Sequence, residues 1–442
     1  MTAPPAEPMR FASSRGAGPT QGFGAAVLKG LAGDGGLYVP TRWPELPVAA
    51  FDGAAHLPVV AARLLAPFVA GDPLAGRLNE IVTEAFNFPA PCVGLTDDDR
   101  LAVLELFHGP TAAFKDFGAR FLAAAFARLH PPAAAPLTIL VATSGDTGGA
   151  VAAAFHRRPG MRVVVLFPEG LVSPTQQRQL TCWGDNVRAL SVRGTFDDCQ
   201  RLVKEAFADA ALAGAATLSS ANSINLGRLL PQSVYYAATS LAVFHKFGEP
   251  ASFVVPSGNL GNVVACLWAR RMGLPIGKVV LAHNLNRAVP DYLDSGQWQP
   301  RPSIATLASA MDVGNPSNME RLRALYPNIE ELRQAVRAYV VSDEQIRARI
   351  VEGYERFGQI WCPHTATAAE AYERLPREER AGGRWVLVST AHPAKFAEIV
   401  EPLIGRAVPV PDSLAQLFAR PTQCTEIEAS LPSLRDVLQE SS

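Results

Sequence analysis

The feature that most constrains this chain is a regular alternation of short apolar runs with helical segments. Strand-like apolar runs occur at Leu101–Leu106, Leu137–Ala142, Val163–Phe167, Val187–Val192, Ser252–Val255, Val279–His283 and Trp385–Ser389. Helical patterns occur between them, at Phe117–Leu129, Gly148–His156, Pro174–Thr181, Cys199–Ala213 and Asn262–Arg271. Because parallel strands need a long crossover connection, usually a helix, this alternation predicts β/α/β units. The predicted fold class is therefore α/β with parallel sheets.

The length of the chain predicts more than one domain. A chain of 442 residues is too long for one simple core, and 48% hydrophobic with 18% charged residues is a globular composition. Residues 1–90 begin with a loose proline-containing tail and continue as a glycine-rich region, and Pro89-Ala-Pro91 marks a boundary. We therefore expect an N-terminal domain over 1–90, a core over 91–407 and a surface-packed tail over 408–442.

Composition also limits the partners that this chain can have. A formal net charge of -1 gives no support for a nucleic-acid or membrane partner, so a small-molecule substrate is expected. The sequence contains neither a membrane-spanning apolar run nor a signal-peptide pattern. The six cysteines form no CxxC pair and no zinc-ligand cluster, which predicts no metal site and a reduced, cytoplasmic protein. The oligomeric state stays open.

Lys115 is the first residue to which chemistry can be assigned. It lies between Phe114 and Phe117, after a Gly-Pro turn and before a predicted helix. It could be an ordinary surface lysine. However, the helix dipole disfavours a cation at a helix N-terminus, and an apolar pocket lowers the pKa of an amine. A lysine with a lowered pKa is what Schiff-base chemistry requires, so Lys115 is a candidate for that role.

Two glycine-rich turns each connect a predicted strand to a predicted helix. They are Ser144-Gly-Asp-Thr-Gly-Gly149 and Ser257-Gly-Asn-Leu-Gly-Asn262. Such turns present backbone N–H groups to an anion at a helix N-terminus, although either could be a simple tight connection. Neither has dinucleotide-binding or Walker spacing. Two such turns predict a ligand with a phosphate near a second anion, or two phosphorylated ligands, at the carboxyl edge of an open sheet.

Three further segments carry weaker signals. Asn222-Ser-Ile-Asn225 precedes an apolar helix and could be a simple helix cap. The segment from Asp312 to Asn318 has neither helical nor strand periodicity, which predicts a structured loop. Thr390-Ala-His-Pro-Ala-Lys395 follows the last predicted strand and should therefore also reach the ligand edge.

Together these segments resemble the threonine synthase family of the bacterial and fungal type. The matching segments, in chain order, are Ser14-Arg-Gly, Leu31–Pro40, Gly109–Asp116, Ser144–Gly148, Asn222–Asn225, Ser257–Asn262, Asp312–Asn318 and Thr390–Phe396. The resemblance covers nearly the whole chain. It implies the fold of the tryptophan synthase β chain, fold type II of the pyridoxal-phosphate enzymes, in which two α/β lobes enclose the cofactor, here with an added N-terminal domain.

The resemblance implies a role for each candidate residue. Lys115 would be the catalytic lysine that binds pyridoxal 5'-phosphate. Further cofactor contacts would come from Ser257, Gly258, Asn259, Leu260, Gly261, Asn262 and Thr390, the last through its hydroxyl to the pyridine nitrogen. Substrate contacts would come from Ser144, Asp146, Thr147, Asn222 and Ser223, with Arg120 or Lys395 as the cation for the substrate phosphate. Because a carboxylate repels phosphate, Asp146 is expected to order its turn or to bind a hydroxyl.

The family reaction converts O-phospho-L-homoserine and water into L-threonine and phosphate, by γ-elimination and addition of water at Cβ. Two alternatives stay open, a related phospholyase that eliminates phosphate without adding water at Cβ and a non-catalytic homologue that binds the cofactor. One local difference carries a structural prediction. Where the family has Asn-x-Asn-Asp and then a basic residue, this chain has Asn284-Leu-Asn-Arg287 and then Asp291, which predicts an i,i+4 ion pair with exchanged charges.

Overall fold

The computed structural model describes residues 7–96, 100–131, 134–209, 211–212 and 217–439. Its strands are β1 (Phe11–Ser13), β2 (Tyr38–Pro40), β3 (Cys92–Gly94), β4 (Leu101–Glu105), β5 (Leu137–Ala142), β6 (Met161–Pro168), β7 (Val187–Arg193), β8 (Thr217–Ser220), β9 (Ala251–Pro256), β10 (Ile276–His283), β11 (Val336–Val340), β12 (Arg384–Ser389) and β13 (Thr425–Glu428). Its helices are α1 (Phe23–Lys29), α2 (Leu57–Leu65), α3 (Leu78–Ala85), α4 (Lys115–Leu129), α5 (Asp146–Phe155), α6 (Pro174–Thr181), α7 (Phe196–Ala208), α8 (Leu226–Leu229), α9 (Ser233–Phe247), α10 (Gly261–Arg271), α11 (Ala288–Ser295), α12 (Met319–Leu325), α13 (Ile329–Ala335), α14 (Asp343–Phe357), α15 (Pro363–Glu373), α16 (Arg377–Ala381), α17 (Ala397–Ile404), α18 (Asp412–Phe418) and α19 (Leu431–Gln439). Most of the predicted N-terminal tail, Ala210 and Ala213 of the predicted helix Cys199–Ala213 and the end of the C-terminal tail lie outside the described residues.

The first lobe is built on a sheet with the strand order β11-β10-β9-β12-β4-β3 in the described part of the chain. β3 runs antiparallel to β4, and the other adjacent strands are parallel. The central strand β9 is buried along its whole length. Because β9 and β12 are neighbours and run in the same direction, the segments that follow them, which begin at Ser257 and Thr390, lie together at one edge of this sheet.

The second lobe is built on a parallel sheet with the strand order β13-β7-β6-β5-β8. β5 is buried along its whole length and leads into the turn Ser144–Gly149. Strand β13 comes from the C-terminal tail, which the sequence predicts to pack on the surface. It pairs with β7 and extends the sheet, and α19 packs on α7. The tail is therefore part of the second lobe's architecture.

The N-terminal region packs against both lobes. The carbonyl oxygen of Val27 accepts a hydrogen bond from Asn225 Nδ2 at 2.8 Å, and that of Leu28 accepts one from Ser219 Oγ at 2.9 Å. On the other side, the carbonyl oxygen of Tyr38 accepts one from Nε of a buried arginine of α12 at 3.1 Å. The region is thus hydrogen-bonded to both lobes and connects them.

The structure confirms the predicted α/β class and the two lobes. Each predicted strand is present, and α6 has the predicted ends because Ser173 and Gln176 form a reciprocal capping box at its start. The predicted i,i+4 ion pair also forms, with Arg287 Nε 2.6 Å from Asp291 Oδ1. The expectation that both glycine-rich turns lie at the edge of one open sheet is wrong, because they follow strands of different sheets. Among the described helices, none has the length and apolarity that a membrane span requires.

Candidate active site

A cleft of about 640 Å³, including the part open to solvent, lies where the two lobes meet. It is lined by Phe114, Lys115, Asp146, Ser223, Arg228, Gln232, Pro256, Ser257, Gly258, Asn259, Leu260, Gly261, Asn262, Ala310, Met311, His364 and Thr390. The lining therefore joins residues of both glycine-rich turns with the candidate lysine, although these segments are far apart in the chain.

Lys115 is the first residue of α4, and its half-buried side chain borders the cleft. Its Nζ lies 4.8 Å from the centre of the Phe114 ring. Burial lowers the pKa of this amine to about 8, an effect that the Asp146 carboxylate opposes. No hydrogen bond or ion pair to a described residue holds Nζ, so the amine is available to a ligand in the cleft.

The turn Ser257–Asn262 is anchored to the first sheet. The backbone N–H of Ser257 donates to the carbonyl oxygen of Ala282 at 2.8 Å, and its hydroxyl donates to that of Val255 at 2.8 Å. Leu260 has a φ of 62°, a left-handed conformation that a residue with a side chain adopts only under constraint. The turn leads into α10, whose first backbone N–H groups have no acceptor within the helix. This arrangement suits an anionic ligand.

The unpartnered buried polar atoms along the described cleft lining are N–H donors. Asn262 Oδ1 accepts hydrogen bonds from Tyr235 at 2.5 Å and from Tyr236 at 2.9 Å. These bonds orient the amide so that Nδ2 is buried without a hydrogen-bond partner. Nε of Arg228 is also buried and also has no hydrogen-bond partner among the described residues. A free amide donor at the N-terminus of α10 and a free guanidinium donor in the same cleft lining fit anionic groups, such as the phosphate of the cofactor that the sequence resemblance implies.

Ser223 links the two lobes at the cleft. Its Oγ accepts hydrogen bonds from Asn259 Nδ2 at 2.7 Å and from Asn318 Nδ2 at 3.2 Å. Arg321 supports this contact by donating to the carbonyl oxygens of Ser223 and Ile224, at 3.1 and 2.7 Å. Because the acceptor capacity of the Ser223 hydroxyl is used, its proton is the part that can interact with a ligand.

The turn Ser144–Gly149 contributes Asp146 to the cleft lining and carries two hydroxyls, those of Ser144 and Thr147, outside that lining. The side chains of Ser144 and Thr147 are half-buried, and they bond to none of the residues that the structure describes. Both lie at the N-terminus of the ten-residue helix α5. Asn222 lies behind this turn and donates from Nδ2 to the carbonyl oxygen of Ala142 at 2.9 Å, so its amide holds the end of β5.

Asp146 and Lys395 form a buried ion pair next to this turn. Lys395 Nζ lies 2.7 Å from Asp146 Oδ1 and also donates to the carbonyl oxygen of Thr111 at 2.9 Å. Gln176 donates to the same carboxylate oxygen at 3.1 Å. Burial alone would raise the pKa of Asp146, but the charge and hydrogen bond of Lys395 outweigh it and the pKa lies below its ordinary value. Lys395 is therefore committed to Asp146, and this placement argues against it as the direct substrate cation.

Arg120, the other predicted substrate cation, points away from the cleft. Its guanidinium donates to the carbonyl oxygens of Ala85 and Glu84, at 3.3 and 2.6 Å, and to Asn87 Oδ1 at 2.9 Å. It follows Lys115 by five residues on α4, which is about 140° around a helix. The structure therefore argues against Arg120 as the cation for the substrate phosphate. Its side chain instead links α4 to the N-terminal region.

Thr390 and His364 complete the lining of the cleft. The carbonyl oxygen of Thr390 accepts a hydrogen bond from the N–H of Phe114 at 2.9 Å, which places Thr390 beside the candidate lysine, and its hydroxyl has no described partner. His364 Nε2 accepts a hydrogen bond from the N–H of Ala310 at 3.1 Å, and burial lowers the pKa of His364 to about 4. This histidine is neutral near pH 7 and supports the loop that carries Ala310.

Arg228 is a cleft residue that the motif analysis missed. Its side chain is 1% exposed and its Nη1 donates to the carbonyl oxygen of Ala221. The sequence does contain a signal for it. Arg228 is a single cation in the apolar segment 226–231, with no acidic residue within four positions on either side. A helix that is apolar on all sides has no solvated face for a charge, so such an arginine needs a buried anionic partner.

Comparison with known proteins gives consistent matches over the whole chain. Three family models match, Threonine synthase N terminus over residues 10–86, Pyridoxal-phosphate dependent enzyme over 89–391 and Threonine synthase, C-terminal over 365–438. The threonine synthase of Serratia marcescens is 41% identical, over 94% of this chain and 96% of that protein. The crystal structure of threonine synthase from Escherichia coli has a TM-score of 0.90 and 36% identity, covering 98% of this chain and 100% of that chain. The structure of PLP bound threonine synthase from Brucella melitensis has a TM-score of 0.90 and 35% identity, covering 98% and 99%.

Proposed function

The chain belongs to the threonine synthase family, and we propose that it converts O-phospho-L-homoserine and water into L-threonine and inorganic phosphate with pyridoxal phosphate as its cofactor. The observation that carries this proposal is the position of Lys115. Its amine has a pKa of about 8, has no hydrogen-bond or ion-pair partner among the described residues and lines the same cleft as the turn Ser257–Asn262, which suits an anionic ligand. The enzyme is therefore a pyridoxal-phosphate-dependent lyase.

The cleft residues fit the cofactor group by group. Lys115 would bond to its aldehyde carbon, the N–H groups of the turn Ser257–Asn262 would hold its phosphate, and the Thr390 hydroxyl would meet its pyridine nitrogen. A hydroxyl partner, unlike a carboxylate, does not force that nitrogen to stay protonated. Once bound, the cofactor supplies an electron sink for a carbanion next to the substrate's amino group. The electrostatics of the cleft then tune this sink.

The second glycine-rich turn would bind the substrate. The hydroxyls of Ser144 and Thr147 and the N–H groups at the start of α5 are donors for an anionic group. Asp146, which lies among them, would otherwise repel that group. Its pairing with Lys395 offsets the charge, and the ion pair would keep the turn in shape. Ser223, whose proton is free, is proposed as a further substrate contact.

Lys115 would also carry the protons of the reaction. Loss of phosphate from Cγ requires that protons leave Cα and Cβ, and threonine requires that one proton returns to Cγ and one to Cα. Water supplies the hydroxyl at Cβ, and its remaining proton leaves with the phosphate. An amine with a pKa near 8 can both take up and release a proton near neutral pH. Lys115 is the best placed group for this, because the other bases along the cleft are engaged: Asp146 is paired and His364 accepts a backbone N–H.

Product analysis with O-phospho-L-homoserine tests this proposal. We expect equal amounts of threonine and phosphate from the wild type. Lys115→Ala should lose nearly all turnover and the borohydride-reducible link to the cofactor. Lys204→Ala removes an exposed lysine of α7 and serves as the matched control. Release of a 2-oxo acid and ammonia with phosphate, but without threonine, would establish the phospholyase alternative. A protein that binds the cofactor but releases no phosphate would be the non-catalytic homologue.

The cellular location is proposed from the cysteines. None of the cysteines that the structure describes is in a disulfide, and four of the six are buried. Cysteines that stay reduced are typical of a reducing compartment, which supports a cytoplasmic location.

A further inference from the structure

We propose that the segment 306–318 is a clamp that holds the turn Ser257–Asn262 in its anion-binding conformation, and that Asp312 is the positioning residue that fastens this clamp. The inference rests on the role proposed above for that turn, and it gives a role to a loop that has none in the proposed function. One end of the segment is fixed by a hydrogen-bond network around Asp312, and the rest of it contacts the turn directly.

The Asp312 carboxylate joins the segment to the carboxyl end of β10. It accepts hydrogen bonds from Asn284 Nδ2 at 2.7 Å and from Asn286 Nδ2 at 3.2 Å. It also accepts the N–H of Thr306 at 3.0 Å and the Thr306 hydroxyl at 2.7 Å, and these two bonds close the segment into a loop. The motif that contains the two asparagines and the motif that begins at Asp312 thus meet in one network.

The Asp312 carboxyl group depends on these neutral donors. None of the described cations forms an ion pair with it. Burial raises its pKa to about 7, the hydrogen bonds from Thr306 and Asn284 oppose this effect, and the Asp343 carboxylate adds to it. Because a buried polar network that is fully hydrogen-bonded fixes one arrangement of the chain, we infer that this network sets the position of the segment.

The middle of the segment packs directly on the turn. Ala310 and Met311 line the cleft, and a Cβ atom on Gly258 would lie 2.6 Å from Met311 Cα. Only a glycine at position 258 therefore allows the two backbones to approach so closely. Ala310 is also held by His364, whose Nε2 accepts its N–H at 3.1 Å.

The end of the segment holds Asn259. The N–H of Ser317 donates to Asn259 Oδ1 at 2.6 Å, and Asn318 Nδ2 donates to the carbonyl oxygen of Asn259 at 3.1 Å. The next residue of the turn is Leu260, which has the left-handed φ of 62°. A residue with a side chain keeps such a conformation only when its surroundings impose it, and the contacts of the segment with the two preceding residues supply this constraint.

The other glycine-rich turn provides an internal comparison. Its residue with a positive φ is Gly145, at 139°, and a glycine adopts such a conformation without a side-chain penalty. Thr143 Oγ1 accepts the N–H groups of Gly145 and Gly148, both at 2.9 Å, so this turn is closed by a residue next to it in the sequence. The turn Ser257–Asn262 has a leucine in the left-handed region and depends on a distant segment instead.

Amide hydrogen exchange of the apoenzyme at pH 8, where Asp312 is ionised, tests the clamp without the cofactor. In Asp312→Asn, the peptides that cover residues 313–318 and 257–264 should exchange at least about tenfold faster than in the wild type, because hydrogen bonds to a charged group are lost. The peptide that covers the turn Ser144–Gly149 should not change. Asp294→Asn removes an exposed carboxylate of α11 and is the matched control. Faster exchange that is confined to residues 306–312 would overturn the inference.

Thr306→Val is a milder variant that keeps the test decisive if Asp312→Asn does not fold. It removes one hydroxyl donor to Asp312 and should speed exchange of the same two peptides. Thr306→Ser keeps a hydroxyl at this position and should exchange like the wild type. Equal exchange of the turn in Thr306→Val and Thr306→Ser would contradict the clamp.

Ligand affinity connects the clamp with the proposed cofactor site. Asp312→Asn should weaken the binding of pyridoxal phosphate to the apoenzyme about 5- to 150-fold, the range that corresponds to holding one residue in a sparsely populated backbone conformation. The affinity for pyridoxal should change little, because pyridoxal lacks the phosphate that the turn is proposed to hold. An equal loss for both ligands would show general damage to the site and would overturn the positioning role of Asp312.

The two measurements separate this inference from the proposed function. Faster exchange of the turn with unchanged affinity for pyridoxal phosphate would mean that the clamp stands and that the proposed role of the turn is wrong. Unchanged exchange of the turn in Asp312→Asn, with a wild type that binds the cofactor and forms threonine, would mean that the function stands and the inference is wrong.

Discussion

The ammonium group of Lys395 lies 2.7 Å from Oδ1 of Asp146, and both side chains are almost completely buried. Asp146 belongs to the turn that is proposed to bind the substrate, and Lys395 comes from the segment that follows β12 of the other sheet. The pair therefore ties the two lobes together at the cleft. It also offsets the negative charge of Asp146 in a site that has to receive phosphate.

Lys395→Met should destabilise the protein by about 3–5 kcal/mol at neutral pH, the cost of leaving a buried charge without its partner. In the wild type the pKa of Asp146 is lowered, so its stabilising contribution is present above the unfolded value of 3.8 and is lost as the pH falls through the lower folded value. In the variant the main influence that opposes burial is gone and only the weaker ones of His364 and Gln176 remain, so the pKa of Asp146 should rise and the deficit should shrink at acid pH. Urea unfolding of the wild type and the variant at several pH values measures this difference in the free energy of unfolding. The double variant Lys395→Met/Asp146→Asn should recover much of the loss, and a double variant as unstable as the single one would contradict the explanation.

The rate at which the apoenzyme recombines with pyridoxal phosphate should rise with pH and level off above about 8. Only the neutral amine of Lys115 can bond to the aldehyde carbon, and burial lowers its pKa from 10.5 to about 8. At pH 7 the neutral fraction is then about 10%, compared with about 0.03% for an unperturbed lysine. Stopped-flow absorbance between pH 6 and 10 measures the midpoint, with the titration of the free cofactor recorded in parallel. A rate that is still rising tenfold per pH unit at pH 10 would mean that the cleft does not perturb Lys115.

Gly261→Asp should weaken the binding of pyridoxal phosphate by at least about tenfold, while Gly261→Ala should change it little. The Cβ of either variant would lie 3.5 Å from Asn318 Nδ2 and from Ser223 Cβ, which are ordinary contacts. The two variants therefore differ in the carboxylate that is placed where N–H groups are to receive a dianion. Cofactor titration of the apoenzymes, with thermal unfolding as the folding control, measures this. Full cofactor occupancy in Gly261→Asp would show that this turn does not hold the phosphate.

Much of this fold can be predicted from the sequence, because many of its features are encoded by patterns that are complete within a short stretch of chain. The helix Pro174–Thr181 and the Arg287–Asp291 pair were predictable since a capping box and an i,i+4 spacing are complete within a few residues. Lys115 could be assigned for the same reason, because its helix start and its aromatic neighbours are local.

The remaining features depend on pairings that no local pattern encodes. The two glycine turns look alike in sequence, and nothing in either of them shows that their strands belong to different sheets. Lys395 resembles a free cation until its partner Asp146 is known. Arg120 follows the cofactor lysine closely, but the rotation of α4 directs it to the N-terminal region. The buried environment of Arg228 becomes visible only when α8 is placed between α4 and α10.

Thr147→Val should reduce kcat/KM for O-phospho-L-homoserine about 10- to 150-fold and leave cofactor binding intact. The Thr147 hydroxyl lies at the start of α5 without a partner among the described residues, so its removal would take away the proposed donor to a charged oxygen, worth about 1.5–3 kcal/mol. Inorganic phosphate should inhibit the wild type competitively and the variant less. Thr217→Val is the matched control, because Thr217 is exposed at the first residue of β8 in the same sheet, away from the carboxyl ends of the strands. Steady-state kinetics and cofactor occupancy should be measured on the same preparations. Lost occupancy with unchanged turnover per bound cofactor would mean that the turn Ser144–Gly149 binds the cofactor and that the roles of the two turns are exchanged.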